Sequence, residues 1–178
     1  MKKIIISLLA VVLIVLLAMN IINNQNSTNE NSSETVVYGL GVTQTPYDYQ
    51  YRDLNGQPVR LSDFKGKKVF MNFWASWCGP CRVEIPELIQ VAQSRSDVVI
   101  LGINVLESEK SEEVVRQFVK DQNMNFPVVF STEKATQSFN AYTLPVSFFI
   151  NTDGTIYQHI TGPMNEAQII ATFDAMDN

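Results

Sequence analysis

The stretch Asn72-Phe73-Trp74-Ala75-Ser76-Trp77-Cys78-Gly79-Pro80-Cys81 holds both cysteines of a 178-residue chain. Upstream of the pair, Val69 to Trp74 is apolar apart from Asn72, as in a strand buried on both faces. Downstream, Arg82 to Ser94 carries apolar residues at Val83, Ile85, Leu88, Ile89, Val91 and Ala92, a helical pattern interrupted by Pro86, which should kink it. The pair therefore falls where a buried strand hands over to a helix. Cys78 would sit at or just before the first helical turn, where unpaired N–H groups and the positive end of the helix dipole favour a thiolate. Such sites lower a thiol pKa to about 3.5–7.5. Pro80 suits a helix start because its missing N–H costs nothing there. Gly79 lets the loop turn tightly and lets a partner chain approach.

Two cysteines three positions apart point to redox chemistry. A disulfide scaffold would use more cysteines, more widely spread. A zinc site needs four ligands, and beyond the two thiols the chain offers a distant His159, so no metal site is expected. A bridge closing so short a loop removes little chain entropy, which argues against a purely structural role. The spacing suits exchange: Cys78 attacks a disulfide, and Cys81, one helical turn later, resolves the mixed disulfide. The redox-active disulfide Cys78–Cys81 would then be the working group, with no separate cofactor.

Working outward, Tyr47 to Arg52 alternates aromatic and polar residues, Asn55-Gly56 signals a turn, and Val59 to Leu61 reads as a return strand. Val98 to Val105 is a second buried strand. Ser111 to Gln122 is an amphipathic helix with Val114, Val115, Phe118 and Val119 inward. Pro127 to Phe130 is a short strand and Lys134 to Phe139 a short helix. Val146 to Ile150 and Ile156 to Ile160 flank the turn Asp153-Gly154, and Asn165 caps a closing helix to Met176. Helices alternating with strands, plus one tight hairpin, predict a mixed α/β sheet flanked by helices. Glu107, Glu109, Glu112 and Glu113 with Lys110 read as a solvated helix entrance. Tyr47, Tyr49 and Tyr51 read as one face of the hairpin, Trp74 as core and His159 as structural.

The N-terminus reads as an address. Ile4 to Ile22 is nearly all apolar and, at about 1.5 Å per residue, can nearly cross a hydrocarbon core of about 30 Å. Lys2 and Lys3 precede it, and the next basic residue is Arg52. That asymmetry predicts a cytoplasmic N-terminus with the remainder outside. No A-x-A-like site follows, which favours an uncleaved signal anchor over a cleaved signal peptide. Residues 1–22 are thus an expected transmembrane helix, 23–35 a polar tether and 36–178 a folded domain. Net charge is −5, and all 18 acidic residues lie beyond the apolar run. This disfavours nucleic-acid binding.

The quoted stretch closely resembles the active-site segment of thioredoxins. With Cys81-Arg82-Val83-Glu84-Ile85-Pro86, Asn125-Phe126-Pro127-Val128-Val129, Leu144-Pro145 and Phe149-Ile150-Asn151-Thr152-Asp153-Gly154, the chain resembles the TlpA/ResA-like membrane-anchored thioredoxins. The resemblance implies a thioredoxin-like fold with an N-terminal β-hairpin and a central α/β insertion. It implies a cis peptide between Leu144 and Pro145 facing the dithiol and exposing backbone to a bound substrate strand. It makes Trp77 a platform for substrates beside Gly79 and Pro80. Thioredoxins carry a proton-shuttling Asp where Asn72 stands; the ResA-like branch is similar in placing a Glu three residues after the second cysteine, here Glu84. That residue, partly buried, would have a raised pKa and act as acid or base.

The implied function is extracytoplasmic thiol-disulfide exchange. Gly79-Pro80 matches general thioredoxins, whose potential is about −270 mV, and points toward reduction of protein disulfides. The implied targets include the C-x-x-C-H motifs of apocytochromes c, with electrons from a membrane donor of the CcdA/DsbD kind. Two alternatives carry different signatures. A peroxiredoxin-like peroxidase resembles this fold but has Pro and Thr before its reactive cysteine. A non-catalytic tethered binding module would tolerate loss of both thiols.

Overall fold

The computed structural model describes Met19 and residues 48–176. The chain divides into two compact units, Met1–Tyr38 and Gly39–Asn178. The expected anchor (Met19 aside), tether and first tyrosine of the hairpin, Tyr47, lie outside the described residues. Among the described residues, no helix is long and apolar enough to cross a membrane.

Among the described residues, seven strands form one sheet: β1 (Gln50–Asp53), β2 (Pro58–Arg60), β3 (Lys68–Trp74), β4 (Val98–Asn104), β5 (Val128–Phe130), β6 (Val146–Ile150) and β7 (Ile156–Thr161). Their order is β2-β1-β5-β4-β3-β6-β7. β3, β4 and β5 run parallel, and the pairings β1–β2, β1–β5, β3–β6 and β6–β7 are antiparallel. The helices are α1 (Gly79–Ser94), α2 (Glu112–Asp121), α3 (Glu133–Ser138) and α4 (Glu166–Ala175). This is the mixed α/β sheet expected, with the hairpin β1–β2 at one edge and the segment α2–β5–α3 inserted between the β3–β4 and β6–β7 units.

Period-two alternation assigns each strand residue a face. On β3, Phe70 and Trp74 join the larger core with Ile85, Leu88 and Val91 of α1, Val115 and Phe118 of α2 and Phe173 of α4. Val69, Met71 and Phe73 point the other way, into a second core with Ala135 of α3 and Phe139. Asn72 therefore lies on the α1 side, between two aromatics, and is 1% exposed. Its antiparallel partner across the register is Ser147 of β6.

The turns follow their residues. Gly56 takes φ 83° and Gly154 φ 91°, a backbone region that glycine enters without steric cost. The Asp53 carboxylate accepts the N–H groups of Asn55 and Gln57 at 2.8 and 2.7 Å, fixing the hairpin loop. Asn165 caps α4 by accepting the Gln168 N–H at 2.9 Å, as expected.

Three expectations need correction. Val114 is exposed, whereas Val115 and Phe118 are buried. At about 100° per residue, Val114 falls on the flank of the stripe centred on Val115 and Phe118. Val83 is 69% exposed, because it stands half a turn from the buried line of Cys81, Glu84, Ile85 and Leu88. The acidic run after β4 is not simply solvated. Glu112 bridges Arg52 of β1 at 2.6 Å and Arg116 at 2.9 Å, which pulls its carboxyl below the usual range, and Glu109 is bonded into the loop before Cys78. α1 runs without a break through Pro86.

Candidate active site

The cysteines sit at the C-terminal end of β3, on the loop that opens α1. Cys78 is the N-cap of that helix, with extended backbone at φ −77° and ψ 111°, and Pro80 occupies its first turn. Cys78 and Cys81 form a disulfide, with Cα atoms 5.3 Å apart. The Cys81 N–H donates to Cys78 Sγ at 3.2 Å. A sulfur thus does the work of a capping oxygen, satisfying one of the orphan donors at the helix start. In the reduced protein the same donor and dipole would favour charge on Cys78.

Both cysteines are largely covered, with Cys78 4% and Cys81 1% exposed. The rim is open: Gly79 and Pro80 are exposed, and nothing lies within 4 Å of where a Gly79 side chain would project. Trp77 stands beside them, 61% exposed. Its indole N–H donates to the Ser108 carbonyl at 3.0 Å and to Ser108 Oγ at 3.2 Å.

On the neighbouring strand, the peptide joining Leu144 and Pro145 is cis. Because Phe73 faces Val146 across the register, Pro145 enters the sheet beside the end of β3 that leads to the cysteines. Pro145 is buried, and its carbonyl already accepts the Gly162 N–H at 2.9 Å. Before it, Leu144 is half-buried and Thr143 exposed.

Among the described residues Glu84 is the one charged side chain that is buried, 1% exposed. It lies one helical turn beyond Cys81 on the same buried stripe of α1. Its Oε1 accepts the Met164 N–H at 3.0 Å and its Oε2 accepts Asn72 Nδ2 at 2.9 Å. Asn72 Nδ2 also reaches Ser147 Oγ at 2.9 Å. Burial penalises the carboxylate more than these hydrogen bonds favour it, so the Glu84 pKa rises from the ordinary 4.5 to about 7. One turn further, Glu87 accepts the Glu166 N–H at 2.8 Å, so two carboxylates of α1 grip the segment entering α4.

His159 stays apart from this constellation, its ring stacked on Phe148 with centroids 4.7 Å apart. Among the described residues, no cluster of three or more His, Cys, Asp or Glu could hold a metal ion. Ser147, Met164 and Glu109 were not singled out from sequence as site residues. Alternation along β6 could have placed Ser147 opposite Asn72. No spacing rule points to Met164 or Glu109.

Residues 42–159 match the family described as AhpC/TSA. Thiol-disulfide oxidoreductase ResA of Bacillus subtilis strain 168 is 38% identical over 125 residues, which cover 68% of each chain. Its namesake from Geobacillus kaustophilus is 37% identical over 147 residues, 80% of each chain. Among solved structures, StoA from Bacillus subtilis superposes with a TM-score of 0.62 at 28% identity, covering 70% of this chain and 94% of that one. The two ResA relatives are named thiol-disulfide oxidoreductases, and this chain has the Cys78–Cys81 pair at a helix start; a peroxidase is not favoured. Motif, geometry and sequence agree: the chain belongs to the ResA-like thiol-disulfide oxidoreductases, built on the thioredoxin fold.

Proposed function

We propose that this chain reduces protein disulfides outside the cytoplasm, with Cys78 as nucleophile, Cys81 as resolving thiol and Glu84 as the proton acceptor for Cys81. The observation that carries the reading is the burial of Glu84 on the Cys81 stripe, with its pKa lifted to about 7. Asn72 cannot titrate, so Glu84 takes the place of a proton shuttle at that depth. A buried carboxylate also opposes a second negative charge on the thiols, which disfavours the dithiolate and favours handing electrons on.

The steps balance as follows. The Cys78 thiolate attacks one sulfur of the substrate disulfide, and the other substrate sulfur leaves as a thiolate. Cys81 gives its proton to Glu84 and attacks Cys78 Sγ. The second substrate sulfur departs, and the Cys78–Cys81 bond forms. Two electrons have passed to the substrate, which takes up two protons, one of them from Glu84. The disulfide seen here is the product state of that cycle. A membrane thiol donor of the CcdA/DsbD kind restores the dithiol. Trp77, Gly79, Pro80, Leu144 and cis-Pro145 form the rim on which a substrate strand lies.

Trapping tests the reading. A Cys81→Ala variant expressed in cells should accumulate mixed disulfides on Cys78. Capture of apocytochromes with C-x-x-C-H motifs supports a dedicated role in their maturation, and a broad catch supports a general reductase. Absence of any adduct would overturn the nucleophile assignment. Location is tested separately. The run Ile4 to Ile22 should keep the protein in the membrane fraction, and protease added to intact cells stripped of their wall should digest the domain. A protected domain would overturn the orientation.

A further inference from the structure

Ser76, two residues before Cys78, is held from both sides by charged side chains. Glu109 Oε1 accepts the Ser76 N–H at 2.6 Å and Glu109 Oε2 accepts the Ser76 hydroxyl at 2.6 Å. Oε1 also accepts Asn104 Nδ2 at 2.8 Å. On the other side, Arg82 Nη1 donates to the Ser76 carbonyl at 3.3 Å, and the Arg82 guanidinium lies over the Phe118 ring at 5.2 Å. The neighbouring residue, Ser108, takes the Trp77 indole N–H and donates its own hydroxyl to the Val105 carbonyl at 2.7 Å. Ser108 and Glu109 end the short 3-10 turn that follows β4.

Trp77 is thus an exposed aromatic fixed at its polar edge. Loose exposed side chains lose rotamer freedom on binding, whereas a pre-ordered one has already lost it. We propose that Glu109 is a positioning residue: with Ser108 it locks Ser76 and Trp77 so that the indole is a fixed docking face for protein disulfides. The turn Leu106–Glu109 becomes a specificity element that acts on macromolecular substrates. This rests on the reading of Trp77 as a substrate platform.

The chemistry of the clamp sets the test. A carboxylate only accepts, and three donors converge on its two oxygens. A glutamine keeps one acceptor for the Ser76 N–H and Asn104, and its NH2 can donate to a reversed Ser76 hydroxyl. An alanine strands all three donors. Full-length protein would be assayed with dithiothreitol as reductant, insulin as the protein disulfide and oxidised glutathione as the small one. Glu109→Ala should raise KM for insulin by roughly fivefold or more with kcat changed by less than about twofold, and the loss with oxidised glutathione should be smaller. Glu109→Gln should restore the insulin KM to within about twofold of the original. Ser76→Ala removes one donor and keeps the backbone bond, so it should shift the insulin KM by roughly twofold even if Glu109→Ala fails to fold. Equal losses on both substrates, or an unchanged insulin KM in Glu109→Ala and Ser76→Ala, would overturn the clamp. Trp77→Ala separates the two readings. An unchanged insulin KM in that variant sinks the platform itself, whereas a raised one beside a silent Glu109→Ala sinks the clamp alone.

Discussion

Cys78→Ser is expected to reduce insulin no faster than dithiothreitol alone, while Cys81→Ala performs one attack and then stalls as a mixed disulfide. The contrast follows from position. Cys78 is the N-cap, where the Cys81 N–H and the helix dipole support charge on its sulfur. A serine hydroxyl there is too weak an acid to attack a disulfide at neutral pH, and the one remaining thiol, Cys81, is buried at 1% exposure. The fold should survive. Serine is a preferred N-cap and can accept the same N–H. Loss of the bridge releases only a four-residue loop, about 2 kcal/mol on the chain-entropy account. Thermal unfolding of Cys78→Ser should therefore match that of the reduced protein. A variant that keeps turnover above the dithiothreitol background would transfer the nucleophile's role to Cys81. A variant that unfolds far below the reduced protein would mean that serine cannot replace the Cys78 cap, and a reduced protein that unfolds far below the oxidised one would mean the bridge is structural.

The sequence was informative where chemistry is local. The junction at Cys78, the glycine turns at Gly56 and Gly154 and the cap at Asn165 are each set by residues within a few positions. The burial of β3 on both faces was legible too, from its apolar run. It fell short where a side chain's surroundings come from distant segments. Glu84 was expected to be partly buried only through a family likeness, although its place on the stripe of Cys81, Ile85 and Leu88 was readable from helical period. What makes it titrate near neutrality is burial, and the Met164 N–H that holds it, eighty residues on, pulls the other way. Glu109 shows the opposite error. Its acidic neighbours suggested a solvated run, yet the loop from β3 brings two donors to it and the end of β4 a third. Charge patterning describes a chain's surface on average and does not reveal which carboxylate a neighbouring loop will claim.

Glu84→Gln should flatten a pH dependence of stability that the native protein carries. The folded-state pKa of Glu84, about 7, exceeds the ordinary 4.5. Between those values the folded protein binds more protons than the unfolded chain, so its stability falls as pH rises. The stabilising difference is fully present below about pH 4.5 and is lost by the time pH has passed about 7. A shift of this size corresponds to about 3 kcal/mol. Glutamine cannot ionise, and it can still accept the Met164 N–H while Asn72 turns its amide to accept from the new NH2. Urea unfolding of the oxidised proteins should then show the native stability falling, relative to Glu84→Gln, by about 3 kcal/mol from pH 4.5 to pH 8. Parallel pH profiles would show that Glu84 does not titrate in the folded interior. The same variant should pay in catalysis, because the Cys81 proton loses its acceptor. Decay of the mixed disulfide should slow by roughly 10²-fold at neutral pH while formation of the adduct on Cys78 changes little. Slowing of both steps alike would assign Glu84 to the shape of the site rather than to its protons. The two measurements together decide whether one carboxylate, costly to bury above neutral pH, is kept inside the protein for the resolving step.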